Sequence, residues 1–412
     1  MNILIANKYY HATGGPERYM FSISELLSKN GHKVVPFSIR SSMNVNSAYD
    51  HYFIDSPLGE DRTHYDKENT KLTTKVKLTA NAIYSLSAKK RAKEIINKED
   101  IDILYTLNIC NYLSPSIIDA AKNQGKKVVM RLSDFNFICS SYMFYRDGRP
   151  CDDCQSSVIN AIKHKCMKDS FSLSIARALT IKTHQWMRIY NKVDAFVAPS
   201  QRMKKALMDF GIPEEKVHYV PGFINLENFH PEQNTNGYAL YFGRLSPEKG
   251  IDVLLDAWAK LADNCPKLLI IGSGEEEKIL KVKRDKLGLS NVEFKGFTRD
   301  AKELGSIIQK CSFVIIPSLW EDNSPMAAYE AMAYGKPIIA SSLGGLRDQV
   351  EQRKSGLLVR AGSSEDLANA IQELCDNPEK IESYGLEGRR RMEKLFSQEK
   401  HLSNLETIFA EK

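Results

Sequence analysis

The sequence of 412 residues contains no long hydrophobic run. A transmembrane helix needs about 18 or more apolar residues in a row, so we expect none here. The first residues, Met-Asn-Ile-Leu-Ile-Ala-Asn, carry no positive charge and no small-residue cleavage site. They predict a first strand and not a signal peptide.

Strong charge is also lacking. A net charge of +6 over this length gives little reason to expect a nucleic-acid partner. Eight cysteines without a secretory leader favour a reducing compartment, the cytoplasm. The sequence has no repeat of fixed period and no low-complexity tract, and its length predicts two or three domains.

Short apolar runs rich in β-branched residues alternate with helical patterns along the chain. Such alternation predicts parallel sheets with helices on both faces, here as two doubly wound Rossmann-like domains that face each other across a cleft. We place the domains at 1–199 and 200–394. The predicted strands are 3–6, 34–39, 103–107, 128–132 and 194–198, then 238–242, 268–271, 292–294, 313–316, 337–340 and 357–359.

The stretch that follows the predicted strand at 313–316 combines a loop, a helix start and two acids. Ser324 is a suitable N-cap, Pro325 suits the first helical position, and Gly335 ends the helix. The positive end of this helix would lie at the carboxyl edge of the sheet, where it suits a phosphate. Asp322 and Glu330, eight positions apart, can accept hydrogen bonds from sugar hydroxyls.

This spacing resembles the Glu-x7-Glu region of family-4 retaining glycosyltransferases of the GT-B fold. Asp322 takes the place of the first Glu if Glu330 is the second, and Glu321 is the competing alignment. An ordinary strand–helix unit with solvated acids is the alternative interpretation. The resemblance implies that a terminal helix, at 395–412, crosses back and completes the first domain.

A basic loop follows the predicted strand at 238–242. Gly243 permits a turn, and Arg244 and Lys249 put two cations before a helix that starts near Gly250. The string matches the family's Gly-Arg-Leu-x-x-Glu-Lys-Gly motif. Two fixed cations can neutralise a departing diphosphate without a catalytic metal, whereas a plain surface loop would leave them solvated.

The resemblance implies further contacts with a nucleoside-diphosphate-sugar donor. Glu330 would hold the ribose hydroxyls, and Asp322 a hydroxyl of the transferred sugar. The Gly14-Gly15 turn would meet the donor phosphate or the acceptor, although a plain loop is the alternative there. The other implied donor contacts are Gly243, Gly272, Gly274, Phe297, Asn323, Ser324, Pro325 and Met326.

On the acceptor side the chain departs from the family. Many relatives carry histidines at two positions that are Asn108 and Ser133 here, the latter next to Asp134. Neither Asn nor Ser titrates near neutral pH, so these residues can only hydrogen-bond a sugar or an acceptor. His11, in the first loop, is a substitute candidate.

Four cysteines, Cys139, Cys151, Cys154 and Cys166, lie in or beside a polar loop. Four thiolates around Zn²⁺ would hold such a loop together, and we expect either this structural zinc or thiols without metal.

Two basic regions, 66–100 and 163–192, interleave Lys and Arg with apolar residues. Each is either a solvated helix with one core face or a basic surface. A basic surface would rest on anionic lipid or guide a pyrophosphate-linked acceptor.

The sequence therefore predicts an enzyme that moves a sugar from a nucleoside-diphosphate donor to a hydroxyl of a glycan or lipid-linked acceptor, with retention of configuration. Surface polysaccharide or glycoconjugate synthesis is the expected setting, in the cytoplasm or on the inner face of its membrane. The alternatives are a nucleotide-sugar epimerase, a sugar-phosphate transferase, or a regulator that binds nucleotide or glycan without turnover.

Overall fold

The computed structural model of the protein describes residues 1–12, 14–56, 72–232, 237–261 and 266–411. Two six-stranded sheets lie within these residues, one in each half of the chain, beside a separate two-stranded hairpin. Neighbouring strands in both six-stranded sheets run parallel. The expected α/β architecture with two doubly wound units is confirmed.

The first half supplies strands β1 (Asn2–Ala6), β2 (Lys33–Phe37), β3 (Ile103–Thr106), β4 (Lys127–Arg131), β5 (Tyr145–Arg146), β6 (Arg149–Pro150), β7 (Ala195–Ala198) and β8 (Val217–Tyr219). The first sheet has the order β2-β1-β3-β4-β7-β8, and β5 and β6 form the hairpin. Since β8 pairs with β7, this sheet continues past residue 199, where the sequence suggested a domain boundary.

The second half supplies strands β9 (Ala239–Phe242), β10 (Leu268–Ile271), β11 (Val292–Gly296), β12 (Phe313–Ile316), β13 (Ile338–Ser341) and β14 (Gly356–Val359). Their order is β11-β10-β9-β12-β13-β14. The strand order reverses between β9 and β12, and ligands of open α/β sheets bind beyond the carboxyl ends of strands at such a point.

Helices cover both faces of each sheet because successive strand residues point to opposite faces. In β1, for example, Leu4 lies in one buried cluster and Ile3 and Ile5 lie in another. The helices are α1 (Gly15–Lys29), α2 (Leu72–Ile83), α3 (Leu86–Lys98), α4 (Ser116–Lys122), α5 (Asp153–Ser156), α6 (Ile159–Lys163), α7 (Phe171–Trp186), α8 (Gln201–Asp209), α9 (Ile251–Trp258), α10 (Glu277–Lys286), α11 (Ala301–Lys310), α12 (Met326–Ala333), α13 (Leu346–Gln349), α14 (Ser364–Asp376), α15 (Pro378–Leu395) and α16 (Gln398–Ala410). None of them, within the described ranges, has both the length and the apolar composition needed to cross a bilayer.

The last helix, α16, packs on the first sheet although it follows the second. Leu402, Leu405 and Ile408 share a buried cluster with Ile3 and Ile5. His401 of the same helix contacts the Pro221 carbonyl oxygen through Nδ1 at 2.7 Å. Burial lowers the pKa of His401 to about 3, so it stays neutral at physiological pH.

The carboxyl edges of the two sheets face each other. The Asn323 amide, in the loop after β12, donates from Nδ2 to the Ser133 carbonyl oxygen at 3.3 Å. Its Oδ1 accepts from Ser200 Oγ at 3.1 Å. Ser133 follows β4 and Ser200 follows β7, so this one buried amide ties loops of both sheets together.

Candidate active site

The basic loop lies between β9 and α9 and holds one of its cations firmly. Lys249 Nζ lies 2.7 Å from Asp322 Oδ2, and only 19% and 13% of the two side chains are exposed. Arg244 is 65% exposed and lies 3.9 Å from Glu248. Lys249 is therefore fixed beside the acid, while Arg244 has room to move toward a ligand.

Two glycines set the backbone of this region. Gly250, with φ of 70°, ends the turn that carries Lys249, and a Cβ there would overlap the Pro317 carbonyl oxygen. Gly272 has φ of 149°, and a Cβ there would overlap the Gly243 carbonyl oxygen. These glycines allow the loops after β9, β10 and β12 to touch, a packing role that the sequence did not reveal. Gly274 likewise lies against the Leu245 backbone.

Glu321 and Asp322, the two candidates for the first acid of the motif, make different contacts in the loop after β12. Glu321 accepts from Arg202 Nε at 3.2 Å and from the Gly344 amide at 2.7 Å. Both carboxylate oxygens of Glu321 are thus occupied by hydrogen bonds to other segments of the chain. Asp322 instead faces Lys249, which makes it the acid that lies beside the basic loop.

The start of α12 differs by one residue from the prediction. Pro325, with extended backbone angles, is the N-cap and Met326 is the first helical residue. Ser324 does not cap the helix, because its hydroxyl donates to the Tyr329 hydroxyl at 3.2 Å. The cap prediction was wrong, although the helix and its position at the sheet edge agree with the sequence.

Glu330 lies inside α12 and meets a residue of the first half. Its Oε1 is 3.8 Å from Nη1 of Arg18, which is 62% exposed on the first turns of α1. Burial raises the pKa of Glu330 to about 7, and the Arg18 charge opposes that rise. Glu330 therefore changes its charge near neutral pH.

Two further predicted donor residues, Gly15 and Phe297, have open space beside them. Gly15 is the first residue of α1, and the space where its Cβ would be is open. Phe297, just after β11, is exposed. Both leave room for a ligand.

The three acceptor-side candidates come together. Asn108, Ser133 and Asp134 line one small pocket in the first half, together with Cys110 and Asn136. Asn136 donates to both Asp134 oxygens, from its backbone at 3.0 Å and from Nδ2 at 2.9 Å. Burial raises the pKa of Asp134.

His11 lies elsewhere in the first half. It is buried, and its Nδ1 contacts Asn44 Oδ1 at 3.2 Å.

Known proteins match both halves of this architecture. Residues 223–391 match the family model of glycosyl transferases group 1, and residues 164–228 match that of glycosyltransferase family 4. An uncharacterised glycosyltransferase of Methanocaldococcus jannaschii is 34% identical over 188 residues, which are 46% of this chain and 52% of that protein. An MMP α-(1→4)-mannosyltransferase of Mycolicibacterium hassiacum is 30% identical over 199 residues, 46% of this chain and 47% of that one. The chain thus spans about half the length of these curated relatives.

Solved structures match over nearly the whole chain. A sucrose-phosphate synthase of Thermosynechococcus elongatus has a TM-score of 0.73 at 19% identity, with 99% of this chain and 98% of that one covered. HepE of Anabaena, solved in complex with UDP, has a TM-score of 0.65 at 18% identity, with 99% of both chains covered. Such identities establish the fold alone. The chain therefore has the GT-B fold, and its two halves resemble the glycosyltransferase families of these models.

The structure gives no support to the zinc expectation. No group of three or more His, Cys, Asp or Glu side chains is arranged for a metal ion in the part of the chain that the structure describes. Cys139 and Cys154 interact as a pair of thiols, and the hydrogen bond from Cys154 lowers the pKa of Cys139 to about 6.

Three residues near the site were missed by the sequence analysis. Arg18 was not singled out, and its place at the start of a helix just after the Gly14-Gly15 turn was the available signal. Lys8 follows β1, and burial lowers its pKa to about 8. Tyr142 lies close enough to Asp134 and Arg244 for both charges to act on its pKa, which burial raises. The cysteine loop that carries Tyr142 thus approaches the basic loop of the other half.

Proposed function

We propose that the protein transfers a sugar from a nucleoside-diphosphate sugar to a hydroxyl group of a glycan or lipid-linked acceptor, with retention of configuration. One observation carries this proposal: the Lys249–Asp322 pair lies at the point where the second sheet reverses its strand order, just before α12, the helix that carries Glu330. Similarity to two glycosyltransferase family models supports the reaction class. The proposed setting is surface polysaccharide or glycoconjugate synthesis. Similarity to a mannosyltransferase is consistent with that setting.

The cations would act on the leaving diphosphate. As the bond between sugar and phosphate breaks, negative charge grows on the phosphate oxygens. Lys249 is already held in place, and the exposed Arg244 can swing onto a bound diphosphate. The N-terminal end of α12 adds backbone N–H groups and a positive dipole from the side of the sugar.

The acids would bind uncharged donor hydroxyls. Asp322 would accept from a hydroxyl of the transferred sugar, next to the departing phosphate, and Glu330 would accept from the ribose. A carboxylate that accepts hydrogen bonds is a stronger partner when ionised than when neutral. With a pKa of about 7, Glu330 would bind the nucleoside best when it has lost its proton.

Retention is proposed to follow from reaction on one face of the sugar. The acceptor hydroxyl would enter from the side of the pocket lined by Asn108, Ser133 and Asp134. Its proton would pass to the leaving phosphate as that group departs. Positioning and charge stabilisation then supply most of the acceleration, without a covalent sugar–enzyme intermediate.

Two measurements test the proposal. The first is a thermal-shift panel of UDP, GDP, ADP and their sugars, since a bound ligand raises stability by mass action. UDP belongs in the panel because HepE of Anabaena, which shares the fold, was solved with it. We expect one base to stand out.

The second measurement is consumption of the selected donor with and without candidate acceptors, with the anomeric configuration of the product read by NMR. Acceptor-dependent consumption with a retained anomer supports the proposal. Binding without consumption under any acceptor would indicate a regulator, and acceptor-independent conversion of the sugar would indicate an epimerase. An inverted anomer would contradict the proposed geometry.

A further inference from the structure

The outer face of α7 carries an uncovered apolar stripe. Phe171, Ile175, Leu179 and Trp186 are 56%, 41%, 55% and 85% exposed. At about 100° per residue, these four positions fall within about 80° of one another around the helix. The opposite face, with Arg177, Thr180 and His184, is buried in the protein. Single exposed apolar residues are common, whereas a contiguous stripe marks a surface that another phase or partner covers.

The charges around this stripe have one sign. Between residues 157 and 192 the chain contains only one acid, Asp169. Lys182 projects within the stripe itself, and α2, which packs beside α7, contains no Asp or Glu. The exposed cations of the region include Lys163, Lys165, Lys182 and Arg188.

We propose that the stripe on α7 and its surrounding cations dock on an anionic lipid bilayer. An interfacial helix has apolar side chains on one side and Lys or Arg beside them, with Trp at the headgroup level, which matches this surface. Each nearby cation adds attraction to anionic headgroups. A second copy of the chain fits less well, because a symmetric contact through α7 would bring the same cations face to face.

The inner face of α7 leads to the acceptor-side pocket. Arg177 donates from Nη2 to Asn136 Oδ1 at 2.8 Å, and Asn136 in turn donates to Asp134. One helix diameter, about 10 Å, therefore separates the stripe from the hydrogen-bonded wall of the pocket. An interfacial helix sinks about 5–10 Å into the headgroup region, so docking places the pocket close to the headgroups.

If the protein has the proposed function, this placement favours an acceptor that is carried on a membrane lipid. An acceptor hydroxyl carried near the headgroup of a lipid would reach the pocket while its acyl or prenyl chain stays in the bilayer. A free glycan in solution would gain nothing from the docked geometry.

Vesicle binding of the full-length protein tests the proposal. We expect co-sedimentation with vesicles that contain phosphatidylglycerol, little with vesicles of phosphatidylcholine alone, and a loss of binding as salt is raised. Trp186 is an internal reporter, because it is 85% exposed, whereas Trp258 is buried and Trp320 is partly buried. Its emission should shift to the blue on binding, and Trp186→Phe should remove that shift while binding remains. Equal binding to both kinds of vesicle would contradict the role of the cations.

Paired variants locate the surface. Phe171→Ser combined with Leu179→Ser should lower the vesicle partition coefficient at least about tenfold, since two exposed apolar side chains are lost. The matched control is Ile279→Ser with Val282→Ser on α10, where the side chains are 64% and 67% exposed and acids lie nearby. The control should bind like the parent. An equal loss in both pairs would overturn the assignment to α7.

Two further readouts separate the alternatives. If the α7 variant alters the sedimentation coefficient of the protein without lipid, the stripe is a contact between copies and the proposal is wrong. The thermal shift by the preferred nucleoside diphosphate should be the same in the α7 variant and the parent. Loss of vesicle binding with that shift intact supports docking independently of catalysis. If the parent shows the thermal shift with the nucleoside diphosphate but binds no vesicles, docking is wrong and the proposed function still stands.

Discussion

Arg18 and Glu330 meet across the cleft, with Nη1 and Oε1 3.8 Å apart, although they are 312 positions apart in the chain and lie in helices of different halves, α1 and α12. The contact brings the first helix of one half to the acid proposed to hold the nucleoside. Since Glu330 is mostly buried and Arg18 mostly exposed, the arginine attenuates but does not cancel the cost of charging that acid.

The first prediction concerns pH. Glu330 has a pKa raised to about 7, and the proposed ribose contact favours its ionised form. Below that pH a proton must be released on binding, so affinity for the nucleoside diphosphate should fall up to about tenfold per pH unit. Calorimetric titrations from acid to weakly basic pH measure this slope.

Glu330→Gln is the matched control for that slope. The ligand's own terminal phosphate titrates near pH ~6 and affects both proteins alike. The variant should bind more weakly than the parent at high pH and keep only the phosphate contribution to the slope. Identical slopes in the two proteins would remove Glu330 from the nucleoside site.

The second prediction separates the two members of the Lys249–Asp322 pair. Lys249→Met removes a cation from the diphosphate and leaves a mostly buried carboxylate, so it should abolish the thermal shift by the nucleoside diphosphate and lower the free energy of unfolding by about 1–3 kcal/mol. Asp322→Asn leaves Lys249 available and should keep nucleoside-diphosphate binding while it lowers sugar transfer.

Thermal shifts with the diphosphate and with its sugar, together with turnover, check this division. Lys286→Met, an exposed cation of α10 in the same half, is the control and should behave like the parent. A Lys249→Met protein that responds to the ligand like the parent would show that the cation site is misplaced.

The third prediction uses two glycines with similar backbone angles. Gly250 has φ of 70° and Gly288 has φ of 67°, but a Cβ overlaps Pro317 only at Gly250 and meets nothing within 4 Å at Gly288. Gly288→Ala should therefore cost only the left-handed backbone strain, about 1–2 kcal/mol. Gly250→Ala adds a steric overlap with backbone and should cost at least about 1 kcal/mol more. Urea unfolding measures both, and equal losses would refute the packing role of Gly250.

The fourth prediction concerns the coupling of the two halves through Asn323. Asn323→Ala removes the hydrogen bonds to Ser133 and Ser200, so the two halves should unfold less cooperatively, as a broadened or split calorimetric transition. Asn44→Ala is the control, because the Asn44 amide donates to Ile39 within the first half. That control should lower the transition temperature without splitting it. A transition of parental shape in Asn323→Ala would argue against this bridge.

Much of the fold follows from local pattern. The apolar runs of β9 and β12 are completely buried strands, as their composition predicts, and the motif residues Arg244, Lys249 and Asp322 lie in the loops that follow them. The start of α12 was misplaced by one residue because Ser324 has a partner, Tyr329, that a capping rule cannot take into account.

The sequence by itself determined most of the strands and helices, though not the short strands β5, β6 and β8. It also determined the parallel character of the two large sheets and the positions of the basic and acidic loops, because these depend on periodicity and on residues close in the chain. Only the tertiary structure decided which acid meets Lys249, which residue meets Glu330 and what surrounds each cysteine. Those contacts join residues far apart in sequence, and the pKa of Glu330 depends on burial that exists only once the two halves have packed together.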